Sequence, residues 1–271
     1  MPTLRVTDPA DPQIEVYRGL RDHAARQRRE LPGGDMAGCF ISEGDLVIAR
    51  ALEHGYSLTS VLVAAKRTKE LPTAIGEALV FQASDDVLVE ITGRPELRDP
   101  LACFVRPELR SPAELLASIT SGTVAVLENV NNPNNLGVIM RNAAGLGLSA
   151  VLLDPTCGDP LYRRAVRASM GQVFALPHTR LGPLPDSLDL LHAAGFTSIA
   201  LSPAGETSLR DFAPEHTKRA ILLGAEGPGL TPATLDASHH RVRIDMAANV
   251  DSLNVANAAA IAFHALGGPT S

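Results

Sequence analysis

The chain has 271 residues, 45% of them hydrophobic and 20% charged, a globular composition that excludes wholesale disorder and leaves room for two domains. No apolar run approaches the length of a membrane span, and residues 1–11 lack the apolar core of a secretory signal, so a cytoplasmic location without membrane attachment is expected. The formal net charge of −6 supplies no global attraction to nucleic acid, and any phosphate contact must come from local positive charge.

Two such clusters exist, Arg18, Arg21, Arg26, Arg28 and Arg29, and then Arg163, Arg164 and Arg167. Each reads equally well as a solvated helix face. Cys39, Cys103 and Cys157 lie far apart and match no zinc-ligand spacing, which fits reduced, packed thiols and predicts no metal site.

In chain order, residues 14–30 place Ile14, Tyr17 and Leu20 at helical spacing. Short apolar runs follow at 36–41, 60–64, 87–90 and 101–105, with polar or helical stretches such as 43–53 between them. Together they predict a small mixed α/β unit. Residues 106–112, with two prolines and three charges, mark a break. Ser111-Pro112-Ala113-Glu114 then reads as a capping box with Pro at the first helical position, opening a short helix that ends near Gly122. The boundary placed here divides the chain into residues 1–110 and 115–271.

Beyond it, candidate strands at 124–127, 150–153, 197–201, 220–223 and 242–244 alternate with helical stretches at 137–146, 161–170, 187–194 and 232–237, and a final helix covers 253–266. Alternating strands and helices rich in Val, Ile and Leu predict a mainly parallel sheet covered on both faces. Ligands of such sheets bind beyond the carboxyl ends of the strands, which directs attention to the loops after Leu127, Leu223 and Ile244.

The first loop, Glu128 to Gly137, carries five asparagines between positions 129 and 135, side chains suited to satisfying backbone groups in turns. Arg141 is expected one turn into the helix that follows, able to project back over the loop. The second, Leu223-Gly224-Ala225-Glu226-Gly227-Pro228-Gly229-Leu230, has three glycines spaced as neither the dinucleotide fingerprint nor the phosphate loop. Alone it reads as a tight turn. The third runs from Ile244 through Asp245, Met246, Ala248, Asn249 and Asp251 to Ser252-Leu253-Asn254-Val255, with Asp251 or Ser252 expected to cap the final helix. The alanines at 256, 258, 259, 260 and 262 permit close packing of that helix in a buried crossing or a subunit contact.

Taken together, the three segments resemble the signature motifs of the SpoU/TrmH RNA 2′-O-methyltransferases of the SPOUT superfamily. Asn134-Asn135-Leu136-Gly137-x-x-x-Arg141-x-Ala143 is similar to the first motif, Leu223 to Leu230 to the second, and Ser252-Leu253-Asn254-Val255 to the third. Arg167-Ala168-Ser169-x-Gly171 resembles a linking stretch, and the resemblance spans about residues 120–267. It departs at Asp245, where the family usually has Pro, and at Ala248, where it usually has Gly. Ile41-Ser42-Glu43-Gly44 with the following helix and Ser60-Val61-Leu62-Val63 resembles a substrate-binding domain, similar to RNA-binding ribosomal proteins, that many of these enzymes carry.

The resemblance implies an α/β fold of SPOUT type with a trefoil knot, a homodimer, an RNA substrate (ribosomal more than transfer RNA), and S-adenosylmethionine as methyl donor without metal. It implies catalytic roles for Arg141, Asn135, Glu226, Ser252 and Asn254, and cofactor contacts through Leu223, Gly224, Ile244, Met246 and Leu253. In-line transfer to a ribose 2′-hydroxyl needs alignment and a proton acceptor, and the thioether leaves unaided. A free guanidinium has a pKa above about 12, so its neutral form is scarce near pH 7. Arg141 therefore reads either as the base or as a clamp on the adjacent phosphate that stabilises developing charge.

Two other functions fit parts of the sequence. An α/β enzyme could hold a phosphate cofactor on the glycine loop, but no Lys follows the glycines and Glu226 opposes phosphate. A non-catalytic RNA- or ribosome-binding protein could keep the fold, but retention of the five polar motif residues argues against lost catalysis. Binding of S-adenosylmethionine discriminates among the three.

Overall fold

The computed structural model describes residues 2–20, 23–30, 33–93, 96–213, 217–248, 250 and 252–267, so Arg21, Asn249 and Asp251 lie outside the described residues. The chain divides into two units, Met1–Glu108 with Leu161–Phe174, and Leu109–Pro160 with Ala175–Ser271. Among the described residues no helix is long and apolar enough to cross a membrane.

The first unit contains β1 (Thr3–Val6), α1 (His23–Glu30), β2 (Cys39–Glu43), α2 (Asp45–Glu53), β3 (Leu58–Ala64), β4 (Leu79–Ala83), α3 (Asp85–Thr92) and β5 (Leu101–Val105). Its sheet has the order β1-β4-β3-β5-β2, with β4 parallel to both neighbours and β5 antiparallel to both. Three sequence expectations change here. The helical spacing at residues 14–30 resolves into a 3-10 turn, Pro12–Tyr17, and α1, because Gly19 takes φ +68° between them; Ile14, Tyr17 and Leu20 are nonetheless buried. The apolar run at 87–90 lies inside α3, where Leu88 and Ile91 meet the core at helical spacing. Residues 79–83 form a strand that the expectations omit, although Leu79-Val80-Phe81 carries the signal.

The second unit begins with α4 (Pro112–Ala117), whose capping box is formed as expected: Ser111 Oγ accepts from Glu114 N–H while the Glu114 carboxylate accepts from Ser111 N–H. It continues through β6 (Gly122–Leu127), α5 (Pro133–Gly145) and β7 (Ala150–Leu153). After α6 (Arg163–Ala168), which belongs to the first unit, come β8 (His178–Arg180), α7 (Leu188–Ala193), β9 (Thr197–Leu201), β10 (Thr207–Ser208), β11 (Lys218–Leu223), α8 (Pro232–Asp236), β12 (His240–Arg243) and α9 (Val255–Leu266). The sheet runs β10-β12-β9-β11-β6-β7-β8, and every pairing is parallel. Strand β6 is buried along its whole length, which is why it reads as a continuous apolar run. Strands β8 and β10 are three and two residues long, too short to leave a periodic signal. The carboxyl ends of β6 and β11 lie side by side, Leu127 paired with Leu223, and bring the asparagine and glycine loops together.

The basic clusters are largely engaged within the first unit. Arg26 donates to Glu30 at 2.6 Å with both side chains buried, and Arg163 pairs with buried Glu43, which also accepts from Arg167 at 3.3 Å. Arg18 bonds Glu15 at 3.0 Å, and Arg29 bonds Asp35 and Glu15. A buried guanidinium keeps its charge and therefore needs a counter-ion, so Arg26 and Arg163 are neither a solvated face nor free phosphate contacts. Arg28 is exposed, and the Arg167 side chain stays 59% exposed despite its bond to Glu43.

Candidate active site

The asparagine loop is shaped from beneath by a turn after β7. Asp154 Oδ1 accepts from the backbone N–H groups of Asn129, Thr156 and Cys157 at 3.2, 3.0 and 2.9 Å. Arg180 spreads its guanidinium over the carbonyls of Asp154, Cys157 and Gly158 at 3.1, 2.7 and 2.8 Å. Burial pushes the Cys157 thiol up to about 12, so it stays protonated, donates to Leu127 O and accepts from Val130 N–H, each at 3.3 Å. Asn129 takes φ +55°, a conformation asparagine tolerates better than most residues.

Asn132 ends the loop as the N-cap of α5, its Oδ1 accepting from Asn134 N–H and Asn135 N–H, with Pro133 at the first helical position. The helix therefore starts four residues earlier than the expected 137, and Asn134 and Asn135 belong to its first turn. Arg141 consequently lies two turns into α5. It is exposed and, among the described residues, makes no hydrogen bond or ion pair.

The glycine loop closes on itself. A Cβ on Gly224 would stand 2.1 Å from Gly229 C and Leu230 N, so the close approach this glycine permits is that of the loop's own backbone. Gly229 N–H bonds Ala225 O at 3.0 Å, and Gly227 and Gly229 take φ of +90° and +74°. The loop ends at Thr231, which caps α8.

Asn254 caps α9 through Oδ1, which accepts from Ala256 N–H at 3.0 Å, in place of the expected Ser252 or the undescribed Asp251. The same side chain joins the three loops. Asn254 Nδ2 donates to Asn135 Oδ1 at 3.0 Å and to Glu226 Oε1 at 3.2 Å, while Asn135 Nδ2 donates to Glu226 Oε2 at 2.9 Å. Each amide is oriented by bonds to both of its ends.

Beside this triad lies a cavity of about 250 Å³, whose wall includes Leu223, Gly224, Ile244, Met246 and Leu253 together with Glu226 and Ser252. Leu201, Ser202, Pro203, Leu235, Val255 and Ala258 complete parts of the wall and were not anticipated from sequence. Asn135 and Asn254 reach the cavity only through Glu226, and neither Arg141 nor Asp245 lines it. Asp245 is instead held by Ser208 Oγ and by Arg243 Nε at 3.1 Å, and the Ser208 bond, ahead of the Arg243 charge, keeps its carboxyl below the usual range. Glu128, Asp154, Arg180 and Thr231 support the loops without having been singled out in the sequence, where each reads as an unremarked polar residue.

A parallel sheet with an apolar cavity beyond its strand ends and a polar triad at the rim defines an α/β enzyme domain that binds a small ligand. The chain belongs to the SpoU rRNA methylase family, whose model matches residues 122–264, and it is thus an RNA methyltransferase. It is 41% identical over 264 residues to an uncharacterized tRNA/rRNA methyltransferase of Mycobacterium bovis, covering 96% of this chain and 90% of that one. A 23S rRNA (guanosine-2′-O)-methyltransferase of Bacillus subtilis is 27% identical over 230 residues, 84% of this chain and 88% of the relative. Among solved structures, the AdoMet-bound rRNA methyltransferase of Sinorhizobium meliloti superposes with a TM-score of 0.78 at 27% identity, covering 97% of both chains.

Proposed function

We propose that this chain transfers a methyl group from S-adenosylmethionine to a ribose 2′-hydroxyl of ribosomal RNA. The observation that carries the reading is the Asn135–Glu226–Asn254 triad at the rim of the cavity, which joins residues of all three motifs in one hydrogen-bonded unit. The cavity suits the cofactor chemically: Leu223, Ile244, Met246 and Leu253 offer apolar walls to an adenine ring, and the loop backbone offers polar groups at the edges. Bound there, S-adenosylmethionine supplies a methyl activated by a sulfonium.

The chain's own residues then align and assist. Glu226 holds Asn135 and Asn254 in fixed orientation, so the rim is organised before substrate arrives. Arg141, exposed and free of partners among the described residues, is available to clamp a substrate phosphate with its planar donors. Ser252, exposed at the cavity edge, is placed to hydrogen-bond the incoming ribose.

The B. subtilis and S. meliloti relatives favour ribosomal over transfer RNA; residues 1–110 are assigned to RNA recruitment and residues 115–271 to cofactor binding, except that Leu161–Phe174 goes with the first unit. A homodimer is proposed through the face of α9 that exposes Asn257, Ile261 and His264 beside α5, because Ile261 is 42% exposed on a helix whose other large apolar side chains, Val255, Phe263 and Leu266, are buried. The trefoil knot is part of the same reading. It fits the way Thr123 and Arg219, near the starts of the central strands, both bond Leu266 O at the last residue of α9.

The test has two parts. Calorimetry should detect binding of S-adenosylmethionine, and mapping of 2′-O-methyl sites in cellular RNA should reveal a ribosomal position modified only when the protein is present. A modification confined to transfer RNA overturns the choice of substrate, and absence of cofactor binding overturns the whole reading.

A further inference from the structure

Glu128 is the first residue after β6 and sits against the glycine loop with only 4% of its surface exposed. Its backbone N–H bonds Leu223 O at 2.9 Å, the last residue before the loop. Its carboxylate takes the first residue after it: Oε2 accepts from Thr231 N–H at 2.9 Å, and Oε1 accepts from Thr231 Oγ1 at 2.9 Å and Thr234 Oγ1 at 2.8 Å. One residue thus grips both ends of the segment 224–230. That segment makes much of the cavity wall, and its neck at Gly224 is closed to within 2.1 Å of a would-be side chain.

We infer that Glu128 is a positioning residue for the cofactor, a clasp that holds the glycine loop in the shape that binds S-adenosylmethionine. The inference rests on the cofactor reading given above. Both carboxylate oxygens are committed inside the protein, so Glu128 acts through the loop and touches no substrate. The bonds are charge-assisted, and two of the groups they join, the Glu128 carboxylate and the Thr234 hydroxyl, are buried, so removing the carboxylate leaves the Thr234 hydroxyl without this acceptor. The clasp also sets the distance between the motif loops. Glu128 begins the asparagine loop and anchors the end of the glycine loop, while the Asn135–Glu226 bond ties the two a few residues further along. With one tether gone the loop pivots on the other, and the cavity wall loses its register against Ile244 and Leu253.

The experiment compares Glu128→Gln, Thr231→Val and the double variant Thr231→Val/Thr234→Val with wild type and with Leu191→Ala, a core truncation on α7 that lies outside the loop and does not line the cavity. Two measurements are made well below each variant's Tm: S-adenosylmethionine Kd by calorimetry, and amide hydrogen exchange of residues 224–231 without ligand. The expected result is a Kd at least tenfold weaker and faster exchange of the loop in every clasp variant. Leu191→Ala should lose stability yet keep its Kd within twofold. Clasp variants with unchanged Kd, or a Leu191→Ala Kd weakened as much as theirs, overturn the proposal. A wild-type chain that binds no cofactor overturns the reading beneath it, and the exchange data then decide separately whether Glu128 closes the loop.

Discussion

Asn135 and Glu226, 91 residues apart, meet side chain to side chain at 2.9 Å, and Asn254 bonds both. A carboxylate that accepts from two amides cannot rotate freely, and neither can the amides. The rim of the cavity is therefore organised by the protein alone.

Arg141 stands outside this triad, and its removal should separate chemistry from binding. Arg141→Ala is expected to lower methyl transfer by at least about 100-fold, the scale on which losing a charge-stabilising donor acts. S-adenosylmethionine affinity should stay within a few-fold and Tm nearly unchanged, because an exposed side chain with no partner among the described residues contributes within about 0.5 kcal/mol. Arg141→Lys should fail as well, since an ammonium cannot reproduce a planar pair of donors. Equal losses of cofactor affinity and turnover would show that Arg141 belongs to the cofactor cavity.

Gly224→Ala and Gly227→Ala should differ sharply. The alanine methyl at 224 meets backbone that has nowhere to go, so the neck of the loop must open; at 227 there is open space and only the cost of φ +90°. The second costs about 1–2 kcal/mol. The first is expected to abolish measurable cofactor binding. Calorimetry on both variants checks the order, and a Gly224→Ala protein with wild-type affinity sinks the account of the neck.

Asp245 replaces the proline usual in the family, yet its carboxylate is turned to Ser208 and Arg243 and away from the cavity. Asp245→Asn and Asp245→Pro should each leave S-adenosylmethionine affinity within a few-fold. A tenfold loss in the Asn variant alone would mean that the carboxylate itself serves the ligand.

A pH effect is expected from His192. Its Nε2 lies 2.9 Å from Ser198 Oγ, which lies 3.0 Å from His239 Nδ1. Burial first, and then the neighbouring His239, hold its pKa below the ordinary value, against an opposing pull from Asp189. The unfolded chain thus takes up this proton more readily than the folded one. Stability is unaffected above about pH 6.5 and falls as the pH drops below it, until the folded pKa is passed. Comparing Tm at pH 7.5 and 5.5, the loss on acidification should be smaller in His192→Gln than in wild type. Identical losses would remove His192 as a cause.

Apart from the short strands β8 and β10, the alternation of strands and helices in the second unit, the capping box at Ser111 and the three loops that build the site could be read from sequence. Each depends on local chemistry: apolar runs long enough to fill a buried strand, a hydroxyl placed three residues before a carboxylate, glycines and asparagines where the backbone must turn. The motif residues were legible as a set only through their resemblance to the family, since each loop alone reads as a turn. Tertiary structure alone decided which of them touch. That Asn254, and not Ser252, caps the last helix, that Arg26 and Arg163 are internal counter-ions and not a phosphate-binding surface, and that Glu128 binds Thr231 are outcomes of contacts between distant segments. A polar side chain carries no sequence signal of its partner, because its energy depends on burial and geometry that exist only once the sheet has assembled.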